Sequence, residues 1–259
     1  MKAIVFQPHN DDGVISIGGI TQKLIKAGWI VKYVYMTDGR HGSNIMPPEE
    51  TIKVRAEEAE EERKFLGILN FHDFGIEDGK LAKLDHRKLE KIKNKILEIL
   101  AEETPCVIFI PLKSDMHTDH RITHDIVTNI INKNKLGVLI AKYFVWLFPD
   151  FYDKTIDPAE MVLAVDVSEE MDKKLRAVRL HKSQVREGYY DKMIEKVNSL
   201  FSLLFNVYRK TDTTYLEIIG LYNLKVDNGT KLKSLIKVLG KVEDVTKIFH
   251  GRKSEKIET

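Results

Sequence analysis

Apolar positions along the chain follow two alternating rhythms. Short unbroken or β-branched runs predict strands at residues 2–7, 30–36, 71–74 and 106–112. Between them, apolar residues recur at helical spacing. Over 14–27, Ile17, Ile20, Leu24 and Ile25 share one face, and Gly28 ends the segment. Residues 49–66 carry Glu with Lys or Arg at mixed spacings, as a charged helix does. Leu89, Ile92, Ile96, Leu97 and Leu100 mark a helix over 85–101, and another is expected over 120–132. Strands return at 142–148 and 161–167. The last third is less regular, with helices expected at 168–186 and 191–208 and a strand or hairpin arm at 213–226. Beyond Asn228-Gly229 the chain is lysine-rich, and residues 252–259 are expected to fray.

This alternation implies right-handed βαβ crossovers: an α/β, Rossmann-like, mostly parallel sheet with helices on both faces. No repeat, low-complexity tract or interdomain linker interrupts it, so a single domain is expected over residues 1–259. In such sheets a ligand lies beyond the C-terminal strand ends, where the strand order reverses. That edge is the place to look for chemistry.

Composition narrows the partners. Lys and Arg number 41 against 39 Asp and Glu, a formal net charge of +2, which gives no electrostatic case for nucleic acid. The charged residues are mostly Lys and Glu, as in heat-adapted proteins. Cys106 is the only cysteine, so an intrachain disulfide is impossible and a reducing compartment is expected; within an apolar run it reads as a buried, inert thiol. No run is long enough for a membrane span, and the first residues enter a strand without a signal-peptide pattern. The expectation is a cytoplasmic protein with no membrane partner, acting on a small molecule and assembling as a homo-oligomer.

Two polar clusters follow strands. His9-Asn10-Asp11-Asp12 leaves the first, and His117-Thr118-Asp119-His120 follows the strand at 106–112. Two histidines and a carboxylate can hold a divalent metal and leave a position open for water. A further aspartate and histidine remain for proton transfer. Taken alone, the first cluster fits a helix-capping loop in which Asn10 and Asp11 bond the local backbone. The second cluster, at another strand end of the same sheet, shifts the balance toward a site. Among other histidines, His124 shares a helix face with His120 and is expected to pack; His181 fits a structural role or a pocket wall equally well. His41 is placed near the rim, and His72, His86 and His250 are read as structural or solvated. Trp146, Phe148, Phe151 and Tyr152 form an aromatic group that suits a core, a subunit contact or a sugar ring.

These residues resemble the PIG-L or LmbE-like zinc-dependent N-deacetylases, whose pattern is a strand, His-Pro-Asp-Asp, and His-x-Asp-His about a hundred residues later. The likeness extends to Thr37, Asp38 and Gly39 with Gly42, to Arg55-Ala56-Glu57-Glu58, Phe65-Leu66-Gly67, Asp78-Gly79-Lys80-Leu81 and His181-Lys182-Ser183-Gln184. The segment 13–19, with Ile15 and Gly18-Gly19, looks closest to archaeal chitooligosaccharide-type members. The resemblance implies His9, Asp12 and His120 as ligands of one Zn2+ per subunit. It implies Asp11 as general base, His117 as charged acid or oxyanion partner, and Asp119 as the residue orienting His117. Arg55 and Asp78 look like sugar-contacting positions, and the implied substrate is an N-acetylglucosamine-type sugar. Two positions depart from the family: Asn10 stands for its usual proline and Gly13 for a frequent glutamate.

Other chemistries share part of this inventory. Two histidines and a carboxylate also describe mononuclear iron(II) sites, so an iron oxygenase stays open. A phosphoesterase usually needs two metals, and the clusters offer ligands for one. A non-catalytic nucleotide-binding module is disfavoured by Asp11 and Asp12, which would repel a pyrophosphate at the first strand-to-helix turn.

Overall fold

The computed structural model describes residues 1–145, 159–209, 212–224 and 229–245. Among these, eight strands form one sheet in the order β3-β2-β1-β4-β5-β7-β6-β8. The first five in that order are β3 (Asn70–Ile76), β2 (Ile30–Thr37), β1 (Lys2–Gln7), β4 (Val107–Pro111) and β5 (Leu139–Tyr143), all parallel. Then β7 (Leu216–Tyr222), β6 (Met161–Asp166) and β8 (Val242–Asp244) extend the sheet antiparallel. Strand order reverses at β1, which pairs with β2 on one side and β4 on the other. The crevice that such a reversal opens lies at the ends of β1 and β4, and both polar clusters follow those strands.

Period-two alternation divides each central strand between two cores. Ala3, Val5, Tyr33, Tyr35, Val107 and Phe109 face one core, which includes residues of α1 (Asp12–Lys26), α2 (Pro48–Leu66) and α5 (Met171–Val178). Ile4, Phe6, Val34, Met36, Ile108 and Ile110 face the other, with α3 (His86–Glu103) and α4 (Thr118–Lys133). Burial on both faces explains why these strands read as continuous apolar runs. Cys106 is buried in the first core, and burial pushes its thiol pKa up.

Several boundaries differ from the sequence pattern. The strand expected at 142–148 begins earlier, at Leu139, because its pairing with β4 sets Leu139 against Val107. The aromatic group of Trp146, Phe148, Phe151 and Tyr152, the rest of 146–158, His250 and the segment 252–259 lie outside the described residues. The single helix expected over 168–186 is two, α5 and α6 (Lys182–Gly188), since His181 leaves helical backbone with ψ 65°. Glu58 of α2 then accepts from Ser183 N at 2.7 Å and Ser183 Oγ at 2.7 Å, which caps α6. Next comes α7 (Tyr190–Arg209). The lysine-rich region contains α8 (Gly229–Leu239), which buries Leu235 and Leu239.

A kink in α1 was not legible either. Ile17 departs from helical backbone, and the buried carboxylate of Glu217 on β7 accepts from Gly19 N and Ile20 N, both at 2.8 Å. Gly19 is required there, because a Cβ would stand 2.6 Å from Val167. Lys174 Nζ, also fully buried, lies 2.7 Å from Glu217 and 3.0 Å from Asn198 Oδ1. No helix of the described residues is long and apolar enough to cross a membrane.

Candidate active site

Turns leaving β1 and β4 bring the two clusters together. His9 Nδ1, Asp12 Oδ2 and His120 Nε2 form a near-equilateral triangle: His9 to His120 is 3.2 Å, and Asp12 is 3.3 Å from each. All three residues are buried. The sequence brings Asp12 there by starting α1 at it, so the carboxylate turns back to accept from His9 N at 2.7 Å. His120 sits in the first turn of α4, where its ring reaches back over the strand ends.

The other nitrogen of each ring faces a carboxylate. His9 Nε2 is 3.1 Å from Asp78 Oδ1, and His120 Nδ1 is 3.0 Å from Asp115 Oδ2. A carboxylate behind an imidazole fixes its tautomer and directs the opposite lone pair inward. Asp115, which sequence reasoning missed, also accepts from His117 N at 2.9 Å. Its place two residues before His117 was the available signal.

Electrostatics within the triangle are those of three groups sharing protons. Burial lowers the His9 pKa, but Asp12 and Asp78 outweigh it and raise the value to about 10. Burial likewise opposes protonation of His120, and Asp12 and Asp115 raise it to about 9. Despite burial, His120 and His9 hold Asp12 well below the usual carboxylate range. A divalent cation would replace those protons at the same three atoms. A tetrahedral ion with bonds of about 2.0–2.1 Å sets its donors about 3.3–3.4 Å apart, close to the observed edges. His9, His117 and His120 also converge, as do His9, Asp78 and Asp119. Asp12 is the better third donor, since its oxygen already sits between both rings.

Asp11 lies outside the triangle and pairs with Arg55. Its Oδ1 accepts from Arg55 Nη2 at 2.6 Å, and Arg55 Nη1 donates to Gly39 O at 3.2 Å. Arg55 is only 3% exposed. A Cβ on Gly42 would collide with its guanidinium, so the loop above Arg55 needs glycine there. Asp78 is also buried, with Oδ2 accepting from His41 N at 3.2 Å. Arg55 and Asp78, expected to face a sugar, therefore direct their charged groups at Asp11 and His9.

His117 is half-buried, and its ring packs edge-on to His9 with centroids 4.7 Å apart. Its Nδ1 accepts from the backbone N–H of Asp119 at 3.2 Å. Asp119 thus meets His117 through its amide, while its carboxylate accepts from Gly79 N at 2.6 Å. Burial, then the charges on His9 and His120, push the His117 pKa down. The bond from Asp119 N needs an unprotonated Nδ1, which leaves the ring's proton on Nε2.

The two departures from the family pattern have local explanations. Gly13 leaves room for the Gln7 side chain, whose Oε1 accepts from Gly13 N at 2.8 Å; a Cβ at 13 would meet that carboxamide at 2.7 Å. Asn10 is buried beside Gly39. His124 packs with Nδ1 2.9 Å from Pro111 O, and His181 is buried with Nε2 2.9 Å from Glu62 Oε2.

Residues 4–131, which carry both clusters, match the family model PIG-L, GlcNAc-PI de-N-acetylase. Over that stretch the chain resembles the PIG-L family. It is 27% identical over 203 residues to a diacetylchitobiose deacetylase from Thermococcus kodakarensis, covering 73% of this chain and 72% of that protein. Its fold resembles that of N,N'-diacetylchitobiose deacetylase from Pyrococcus horikoshii, with a TM-score of 0.67 and 24% identity over 86% of this chain and 84% of that one. A 4-carboxy-2-hydroxymuconate hydratase from Pseudomonas putida shares the fold at a TM-score of 0.63 and 17% identity, covering 85% of this chain and 94% of that one. This fold therefore carries more than one chemistry, and function has to be argued from the site.

Proposed function

We propose that this protein is a PIG-L family, zinc-dependent N-deacetylase that removes the acetyl group from an N-acetylglucosamine-type sugar. The observation that carries the proposal is the triangle of His9 Nδ1, Asp12 Oδ2 and His120 Nε2, with Asp11 beside it and outside it. Its edges favour a tetrahedral ion, because an octahedral one with bonds of about 2.0–2.1 Å would draw its donors to about 2.9 Å. The diacetylchitobiose deacetylases among its relatives support the sugar amide as substrate.

His9, Asp12 and His120 would hold the ion, one per subunit. When bound, such an ion acidifies a coordinated water and polarises the amide carbonyl. Asp11 is the general base in this scheme. Arg55 occupies its Oδ1, which leaves Oδ2 to take the water's proton and pass it to the departing amine. His117 presents Nε2–H to the oxygen that gains charge as the carbonyl becomes tetrahedral. Its neutral state suits a hydrogen-bond donor better than the charged acid expected from the resemblance, since a second proton on Nδ1 would break the bond from Asp119 N. Asp119 therefore orients His117 through its backbone. Arg55 and Asp78 enter as positioning residues, and direct sugar contact requires each to give up a partner it now holds. Exclusion of water from this buried set strengthens each interaction.

A single buried cysteine supports a reducing, cytoplasmic location, and we extend the proposal to a homo-oligomer, which sedimentation equilibrium tests. The decisive experiment pairs metal analysis with acetate release from N-acetylglucosamine and N,N'-diacetylchitobiose. Stoichiometric metal and acetate release, both lost in His120→Ala, are expected. Metal retained in His120→Ala, or acetate released without metal, would overturn the proposal.

A further inference from the structure

Tyr190, the first residue of α7, did not stand out in the sequence. Its position follows from the way α7 crosses the molecule. Ile194 packs in the core on the α1 face, whereas Phe201 and Phe205 pack in the core on the α4 face. Met193, Ile194 and Val197 share a small cavity with Ile15 and Ser16 of α1. The start of α7 therefore lies against the start of α1, where Asp11 and Asp12 are.

The turn before α7 aims the ring. Tyr189 takes left-handed backbone at φ 53°, a conformation that costs a non-glycine residue on the order of 1 kcal/mol and tends to persist at functional sites. A Cβ on Gly188 would collide with the Tyr190 ring, so the turn folds that ring back against the end of α6. Glu187, in the same last turn, accepts from Ser43 Oγ at 2.7 Å and Asn44 N at 2.8 Å. Those residues continue the loop that covers Arg55. Burial, followed by the nearby Asp11 carboxylate, pushes the Tyr190 hydroxyl up to about 12, with Arg55 opposing and Asp12 and Glu187 adding to the shift. The phenol thus stays protonated.

His117 caps α4 on the other face of the sheet. Tyr190 packs against the core on the α1 face, so the two rings approach the strand ends from opposite faces of the sheet. We infer that Tyr190 is a substrate-contacting residue, its ring forming the wall opposite His117 and its hydroxyl donating to a hydroxyl of the substrate's sugar. With His117 facing the acyl oxygen, the sugar falls on the Tyr190 side. An aromatic face suits the C–H face of a pyranose, and a phenol O–H suits one of its hydroxyls. This inference rests on the N-deacetylase proposal above.

Tyr190→Phe removes the donor and keeps the ring. We expect kcat/KM on N,N'-diacetylchitobiose to fall about 10-fold, mainly through KM, with metal content and melting temperature unchanged. On N-cyclohexylacetamide, an acetamide with a six-membered ring and no hydroxyls, parent and Tyr190→Phe should match. Calorimetric binding of glucosamine to the metal-loaded protein should weaken about 10-fold in Tyr190→Phe, which reads the contact without turnover. Parent activity that is unchanged in Tyr190→Phe, or equal losses on both substrates, overturns the sugar contact and leaves the deacetylase proposal standing. A parent protein that neither hydrolyses the acetylated sugar nor binds glucosamine overturns both.

Discussion

Arg55 Nη2 donates to Asp11 Oδ1 at 2.6 Å, and the ion pair is almost wholly buried. A buried pair of this kind is worth little as a whole but costly to break on one side. Asp11→Asn should abolish most turnover while metal content stays near one per chain. Arg55→Ala should lower kcat by about 10–100-fold, the scale of losing a charged hydrogen-bond partner of roughly 1.5–3 kcal/mol. In the double variant the second substitution should add little, because both act through one carboxylate. Additive losses in steady-state kinetics would separate Arg55 from Asp11.

His117→Ala removes the proposed donor to the developing oxyanion. A drop in kcat of about 10²–10³-fold is expected, with metal content unchanged. Stopped assays of acetate release measure it, and an unaltered kcat would take His117 out of the reaction.

Glu217 stabilises the break in α1 and neutralises the buried Lys174. Burial lowers the Lys174 pKa, so its charge depends on this carboxylate. Glu217→Ala should cost about 3–5 kcal/mol of stability, since it strands one partner of a buried pair and leaves Gly19 N and Ile20 N without an acceptor. Urea denaturation provides the test. A loss below about 1 kcal/mol, as for an exposed pair, would contradict this account.

Metal uptake should release protons. His9 and His120 hold theirs in the metal-free protein up to about pH 10 and about pH 9. Both must be neutral to bind a cation, so affinity should rise with pH, by as much as about 100-fold per unit at neutral pH. Calorimetry in buffers of different ionisation enthalpy should find about two protons released per ion at pH 7. Stability follows the opposite direction in the metal-free protein. Raised histidine pKa values contribute stability that is complete below the unfolded value of about 6.5 and lost as pH rises through 9 to 10. Proton release near zero would contradict the ligand set.

The fold and the two clusters were legible because their signals are local. Alternating periods gave the parallel core, and motifs at the ends of β1 and β4 gave the site's place. What was illegible depends on contacts between distant segments. Glu217 bends α1 from 197 residues away in sequence. Arg55 and Asp78 could be named from their motifs, yet their partners, Asp11 and His9, are set by the sheet order. His181 reads as mid-helix until its contact with Glu62, 119 residues away, is known. Tyr190 carries no motif, and only the crossing of α7 brings it near Asp11.

Central to this account is the coupling of one ion at His9, Asp12 and His120 to amide hydrolysis. Metal-free protein titrated with Zn2+ while acetate release from N,N'-diacetylchitobiose is followed tests it most directly. Activity should start at zero, rise in proportion to added zinc and break at one equivalent per chain. Acetate release that is already complete before zinc is added, or absent at every loading with zinc or iron(II), would contradict it.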